Sequence, residues 1–190
     1  MSEVTQILQA IDRGDPRAAD ELLPLVYEEL RKLAAHKMAN EVSGQTLQPT
    51  ALVHEAWLRL VGQNSQAQFN SRGHFFGAAA EAMRRILIEN ARRKQAQRHG
   101  GGQQRVDLTA IEIAEQTRDE EMLAINEAVE KLALRDPVKA QLVKLRYFVG
   151  MTLEEAAEAL GVSHPTAKRY WSYARAWLHA EITSDPLRPS

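Results

Sequence analysis

Residues 152–178, TLEEAAEALGVSHPTAKRYWSYARAWL, carry the pattern of two helices joined at a tight corner. Thr152 and Glu155 have the spacing of a capping box, in which each side chain satisfies a backbone N–H that the first helical turn leaves unpaired. Leu153, Ala156, Ala157 and Leu160 form one apolar stripe at helical spacing. Gly161 can adopt the left-handed conformation that stops a helix, Val162 can plug the corner, and Ser163 is a strong cap for the next helix. That second helix is predicted to bury Ala167, Tyr170, Trp171, Ala174 and Leu178 and to show His164, Lys168, Arg169, Ser172 and Arg175 outward. It has no acidic residue between Ser163 and Leu178. An acid-free helix with Thr and cations near its N-terminus suits phosphate contact and base-edge reading in a major groove. The alternative at this point is an ordinary helical hairpin with a solvated basic face.

The rest of the chain fits a helical, nucleic-acid-facing protein. Its 190 residues suit one large domain or two small ones, and 44% hydrophobic content with only 6% aromatics, rich in Ala and Leu, favours helices over strands. No apolar run approaches the ~20 residues of a membrane span and no signal pattern opens the chain, so a cytoplasmic protein is expected. Cysteine is absent, which excludes disulfides, a thiolate nucleophile and Cys-based zinc. The net charge of −1 is segregated: residues 84–105 hold seven Lys/Arg against one acid, and residues 107–121 hold six acids against one base. Such blocks suit a chain that meets DNA at two places.

Helical periodicity marks the other elements. Val4, Ile7, Leu8 and Ile11 make a short amphipathic helix. A longer one follows Asp15-Pro16 and runs to about Met38, with Pro24 expected to kink or restart it. Residues 41–49 read as a loop. Thr50 is expected to cap a helix with Val53, Trp57, Leu60 and Val61 on one side, and 62–73 is a loop containing Phe69. From His74 to about Gln97 comes a long helix burying Phe75, Ala79, Ala82, Met83, Ile86 and Leu87, closed by Gly100-Gly101-Gly102. A helix over about 119–134 shows Met122, Ile125, Val129 and Leu132. Another over 137–149, opened by Asp136-Pro137, shows Val138, Leu142, Leu145 and Val149. The expected architecture is all-α: a domain over 1–98, a flexible connection over 99–118, a second domain over 119–184 and a tail over 185–190.

Three segments in this order, TALVHEAWLRL (50–60), GHFFGAAAEAMRRILIENARRK (73–94) and the two-helix stretch above, resemble the extracytoplasmic-function (ECF, group 4) sigma factors of the sigma-70 family. These keep only the region 2 and region 4 domains, and the resemblance covers roughly Val4 to Ile182. It implies a subunit that directs bacterial RNA polymerase core to a set of promoters and assists initiation, with no catalytic residues, metal or cofactor of its own. His54, Glu55 and Arg59 would grip the clamp helices of the largest catalytic subunit. Phe69, His74, Arg84, Arg85, Arg92, Arg93 and Lys94 would engage the −10 element, where a flipped base must be held against its unstacking cost. Ser163, His164, Pro165, Thr166, Lys168, Arg169 and Arg175 would read the −35 element. Many members are held by an anti-sigma factor, for which this sequence carries no signature.

The chain departs from the family pattern in places. His54 stands where many relatives have glutamine, and the common region 2.3 tryptophan and asparagine have no clear counterparts. The recognition helix follows the pattern S-x-x-T-x-K-R as Ser163, Thr166, Lys168 and Arg169. Glu81–Arg85 and Glu89–Arg93 are spaced as i, i+4 pairs, which would neutralise part of the long helix's charge, and Glu55–Arg59 is another. Arg84, Arg92, Lys94 and Arg98 have no acid four residues before them.

Two other functions are open to these residues. A free-standing regulator could use the same helix-turn-helix as a dimer on half-sites about one DNA turn apart, although no amphipathic helix is left over for the interface. An enzyme finds little support. His54-Glu55 begins H-E-x-x-H, but position 58 is Leu; the triple glycine lacks a following Lys-Ser/Thr; and the six histidines show no ligand spacing.

Overall fold

The computed structural model describes residues 3–15, 17–39, 48–62, 71–100 and 110–184. Among them the chain is all-α, with no strand. The helices are α1 (Glu3–Asp12), α2 (Ala18–Ala39), α3 (Pro49–Trp57), α4 (Arg72–Gly100), α5 (Ala110–Arg135), α6 (Pro137–Lys144), α7 (Leu153–Leu160) and α8 (His164–Thr183). A wide π turn extends α3 over Leu58–Gly62, and another extends α6 over Leu145–Val149.

Local chemistry sets most of the boundaries. Asp136 caps α6 by accepting from the Lys139 N–H at 3.0 Å, with Pro137 in the first turn. The capping box of α7 is complete: the Glu155 carboxylate accepts from the Thr152 N–H at 2.7 Å, and the Thr152 hydroxyl accepts from the Glu155 N–H at 3.2 Å. Gly161 ends α7 at φ 66°, and Gly150 ends the second π turn at φ 90°, both in the left-handed region that glycine tolerates.

Several expectations are corrected. Thr50 lies inside the first turn of α3; the cap position is Gln48, and Pro49, whose φ is preset for a helix, opens it. Pro24 does not break α2, which runs through it. Pro24 is exposed, so the carbonyl it leaves unbonded can turn to water. α4 begins two residues earlier than the periodicity implied. α5 begins at Ala110, inside the span expected as a connection; residues 110–122, AIEIAEQTRDEEM, contain no Gly or Pro and many strong helix formers. Val138, in the first turn of α6, is 44% exposed rather than buried.

α2, α3 and α4 enclose Leu22, Val26, Leu30, Leu52, Val53, Phe75 and Met83, all essentially inaccessible. The same cluster continues into Leu142, Leu145, Val149, Met151 and Ala156 from the second half of the chain. A smaller cluster of Val129, Leu132, Ala140, Val143 and Ala174 holds α5, α6 and α8 together, and Trp171 touches both. The helix-turn-helix half therefore packs directly on the α2–α4 bundle. Each large apolar side chain buried this way contributes about 1.5–3 kcal/mol. Contact on two sides explains why α4 buries Phe76, Ala80, Ile88 and Ala91 as well as the single stripe its periodicity suggested.

Candidate nucleic-acid and polymerase interface

The recognition-helix candidates cluster at the start of α8. The Ser163 hydroxyl accepts from the Thr166 N–H at 3.3 Å and donates to the Thr166 hydroxyl at 2.9 Å, fixing the first turn. Pro165, Lys168, Arg169 and Arg175 are exposed. No ion pair involves Lys168 or Arg169 among the described residues, so both cations face solvent without an acid to neutralise them. His164 is held by Glu154 of α7, Nε2 to Oε1 at 3.1 Å. Cations of α6 and its π turn sit over aromatic rings of α8: the Arg146 guanidinium lies 4.4 Å from the Trp171 ring centre, and Lys139 Nζ sits 4.8 Å from the rings of both Tyr170 and Tyr173. Burial lowers the pKa of Arg146.

The basic stretch of α4 is less uniform. Arg85 is exposed beyond its 3.1 Å contact with Glu81, Arg92 and Arg93 are exposed, and Lys94 is half-buried. Arg84 departs from the expectation of a free cation: only 9% of its side chain is accessible. It donates to Glu81 at 2.7 and 3.1 Å, to Glu130 at 3.2 Å and to the side-chain oxygen of Asn126. Its acidic partners lie three residues earlier and across on α5, where a search four residues back does not find them. Arg98 likewise pairs with Asp119, at 3.1 Å. Burial pushes the Glu81 carboxyl up, but hydrogen bonds and charge from Arg84 and Lys144 outweigh it and hold the pKa at about 2.

Phe69 lies outside the described residues. His74 is exposed at the start of α4, its N–H bonded to the Ser71 hydroxyl at 3.1 Å. Phe75 and Phe76 are both fully buried, edge to face at 5.5 Å, with Trp57 6.3 Å from Phe75. They are core residues, which removes them from the surface where a base would stack.

The third group lies on α3 and its π turn. His54 is exposed, and Arg59 binds Glu55 at 2.9 Å and Glu89 of α4 at 2.7 and 3.1 Å. Glu89 therefore pairs with Arg59 and not with Arg93 as its spacing suggested. The Arg59 hydrogen bond lowers the pKa of Glu89 and correspondingly raises that of Arg59. Leu58 is 52% exposed beside this pair, giving the face an apolar centre within a charged rim.

Sequence reasoning missed Arg72, Gly73, Lys144 and Gln141, which join the two halves. Arg72 and Gly73 fall within the stretch expected as a loop, and the partners of all four lie far away in the chain. Among the described residues no group of three or more His, Cys, Asp or Glu is placed to hold a metal ion, and no helix is long and apolar enough to cross a membrane.

A search among curated proteins finds no match to this chain. The ECF sigma factor family matches it over residues 1–184, nearly its full length. The chain therefore belongs to the ECF sigma factor family, DNA-binding proteins that act with RNA polymerase core in transcription initiation.

Proposed function

We propose that this sigma factor divides its work between its halves. In the first, residues 1–98, the face formed by His54, Glu55, Leu58 and Arg59 docks on the clamp helices of the largest polymerase subunit. The start and exposed cations of α4, His74, Arg85, Arg92, Arg93 and Lys94, engage the −10 element together with Phe69. In the second half, residues 119–184, Thr166, Lys168, Arg169 and Arg175 of α8 read the −35 element, with Ser163, His164 and Pro165 setting the helix start. Arg84 leaves the DNA-contact set and serves the packing of α4 on α5.

The observation that carries this reading is the start of α8: a capped, acid-free turn with two unneutralised cations, presented by a helix-turn-helix in a chain of this family. The test is reconstitution. Purified protein added to sigma-free core should give run-off transcripts from promoters located by mapping transcript starts after overexpression. Lys168→Ala/Arg169→Ala should weaken −35-dependent transcription and leave core association unchanged. Loss of core association with promoter binding intact would reverse the assignment of the halves.

A further inference from the structure

A side-chain pair ties the first turns of α7 and α8 to each other. His164, the first residue of α8, places Nε2 3.1 Å from Oε1 of Glu154 in the first turn of α7, with the two side chains 49% and 68% accessible. The backbone carrying them is fixed: the capping box holds the start of α7, the Val162 N–H closes the corner on the Ala157 carbonyl at 3.0 Å, and Ser163 caps α8. The neighbouring acids are engaged elsewhere, Glu155 in the capping box and Glu158 with Arg72. Arg146 is near enough for the Glu154 charge to act on it, but its guanidinium lies over Trp171.

An acid at this end of the helix pair repels phosphate and works against the attraction that Lys168 and Arg169 supply. Orienting the imidazole is the gain that the geometry offers in return. In a neutral imidazole one nitrogen donates and the other accepts, and the partner of one nitrogen decides which is which. A carboxylate only accepts, so Glu154 favours the N–H on Nε2 and leaves Nδ1 as the acceptor. Nδ1 has no partner among the described residues. In the major groove the exocyclic amino groups of adenine and cytosine donate. Guanine N7 and O6 and thymine O4 only accept.

We propose that Glu154 is a positioning residue for promoter reading: it holds the His164 ring so that Nδ1 accepts from the amino group of an adenine or cytosine at one position of the −35 element. The proposal rests on the reading of that element by α8, and it adds a base preference to it. A single hydrogen bond of this kind corresponds to a roughly 3- to 10-fold preference over guanine or thymine. An exposed tie such as Glu154–His164 secures about 2- to 5-fold of that preference.

The experiment offers a promoter library randomised over the −35 element to core polymerase carrying the full chain, and sequences the bound fraction. Wild type should enrich adenine or cytosine at one position. His164→Ala should erase that preference and leave those at other positions. Glu154→Ala should weaken it about 2- to 5-fold at the same position, with no further loss when added to His164→Ala. Glu154→Gln, whose amide oxygen still accepts from the Nε2–H, should keep most of it. Both side chains are exposed, so the substitutions leave the core packing intact. Guanine or thymine enriched at the position that His164→Ala affects overturns the proposal. So does an unmoved pattern of base preferences in His164→Ala, or in Glu154→Ala and Glu154→Gln if both merely raise binding to every sequence. A Lys168→Ala/Arg169→Ala variant that binds and selects as wild type does would instead overturn the reading by α8 on which the proposal rests.

Discussion

α4 and α8 are both basic helices, yet they hold their charge differently. Along α4, Arg84, Arg85 and Arg98 are each met by an acid, Glu81, Glu130 or Asp119, and even Glu89 is claimed by Arg59 from α3. Along α8 no acid occurs from His164 to Leu178, and Lys168 and Arg169 remain unneutralised at the end where base edges would be read. A count of Lys and Arg would rank α4 the more strongly basic helix. What separates a packing surface from a phosphate-binding one is where the acids of neighbouring elements fall.

The sharpest break of this comparison is Arg84→Ala against Arg85→Ala, adjacent residues with opposite surroundings. Losing Arg84 strips the buried Asn126 side-chain oxygen of its partner and leaves Glu81 with only Arg85 and Lys144, and should cost about 2–3 kcal/mol in denaturant unfolding. Equal destabilisation by the two variants would show that burial does not distinguish them.

Next comes Lys168→Ala/Arg169→Ala, expected to weaken promoter binding roughly 10- to 100-fold and to flatten the slope of log K against log salt by about 2. Arg84→Ala should leave that slope unaltered. A slope unaffected by the α8 double variant would remove the contrast between the helices.

Acid should act through the carboxylate that ties α4 to its neighbours. The Glu81 carboxyl, held at about 2 against an ordinary 4.5, contributes stability that is fully present above pH 4.5 and is lost as pH falls toward 2. Denaturation midpoints measured across that window should decline in wild type and decline less in Glu81→Gln. Parallel curves would mean that the carboxylate is not the group being titrated.

Ser163→Ala removes the cap of α8 and should cost about 1 kcal/mol, read as a lowered unfolding midpoint. Smallest is Arg85→Ala itself, an exposed contact expected to change stability by less than about 0.5 kcal/mol.

The contrast also explains what could be read without coordinates. The helix-turn-helix was legible because its determinants are local: Thr152 with Glu155, Gly161, and Ser163 with Thr166 all act within a turn of helix. The all-α class followed from periodicity for the same reason. The partners of Arg84 on α5 lie 42 and 46 residues away, and Arg59 meets Glu89 across 30. No spacing rule within one helix reaches that far, so the Glu81–Arg85 pair was legible while the ties of Arg84 to α5 and of Glu89 to Arg59 were not. The direct packing of the halves was hidden for a further reason, since Leu142, Leu145 and Val149 were correctly marked as buried without any sign of what would cover them.

The wide turn at Leu145–Val149 has a consequence for how this molecule can change over generations. Such a turn holds one residue more than an ordinary α-helical turn, and each residue of a helix advances its face by about 100°. Deleting a single residue between 145 and 149 would tighten this turn to an ordinary α-helical one that closes the same circle, so α7 and α8 after it would keep nearly the same aim about the axis of α6. The wide turn is therefore a spot where the chain can lose a residue while the helices beyond it hold their orientation.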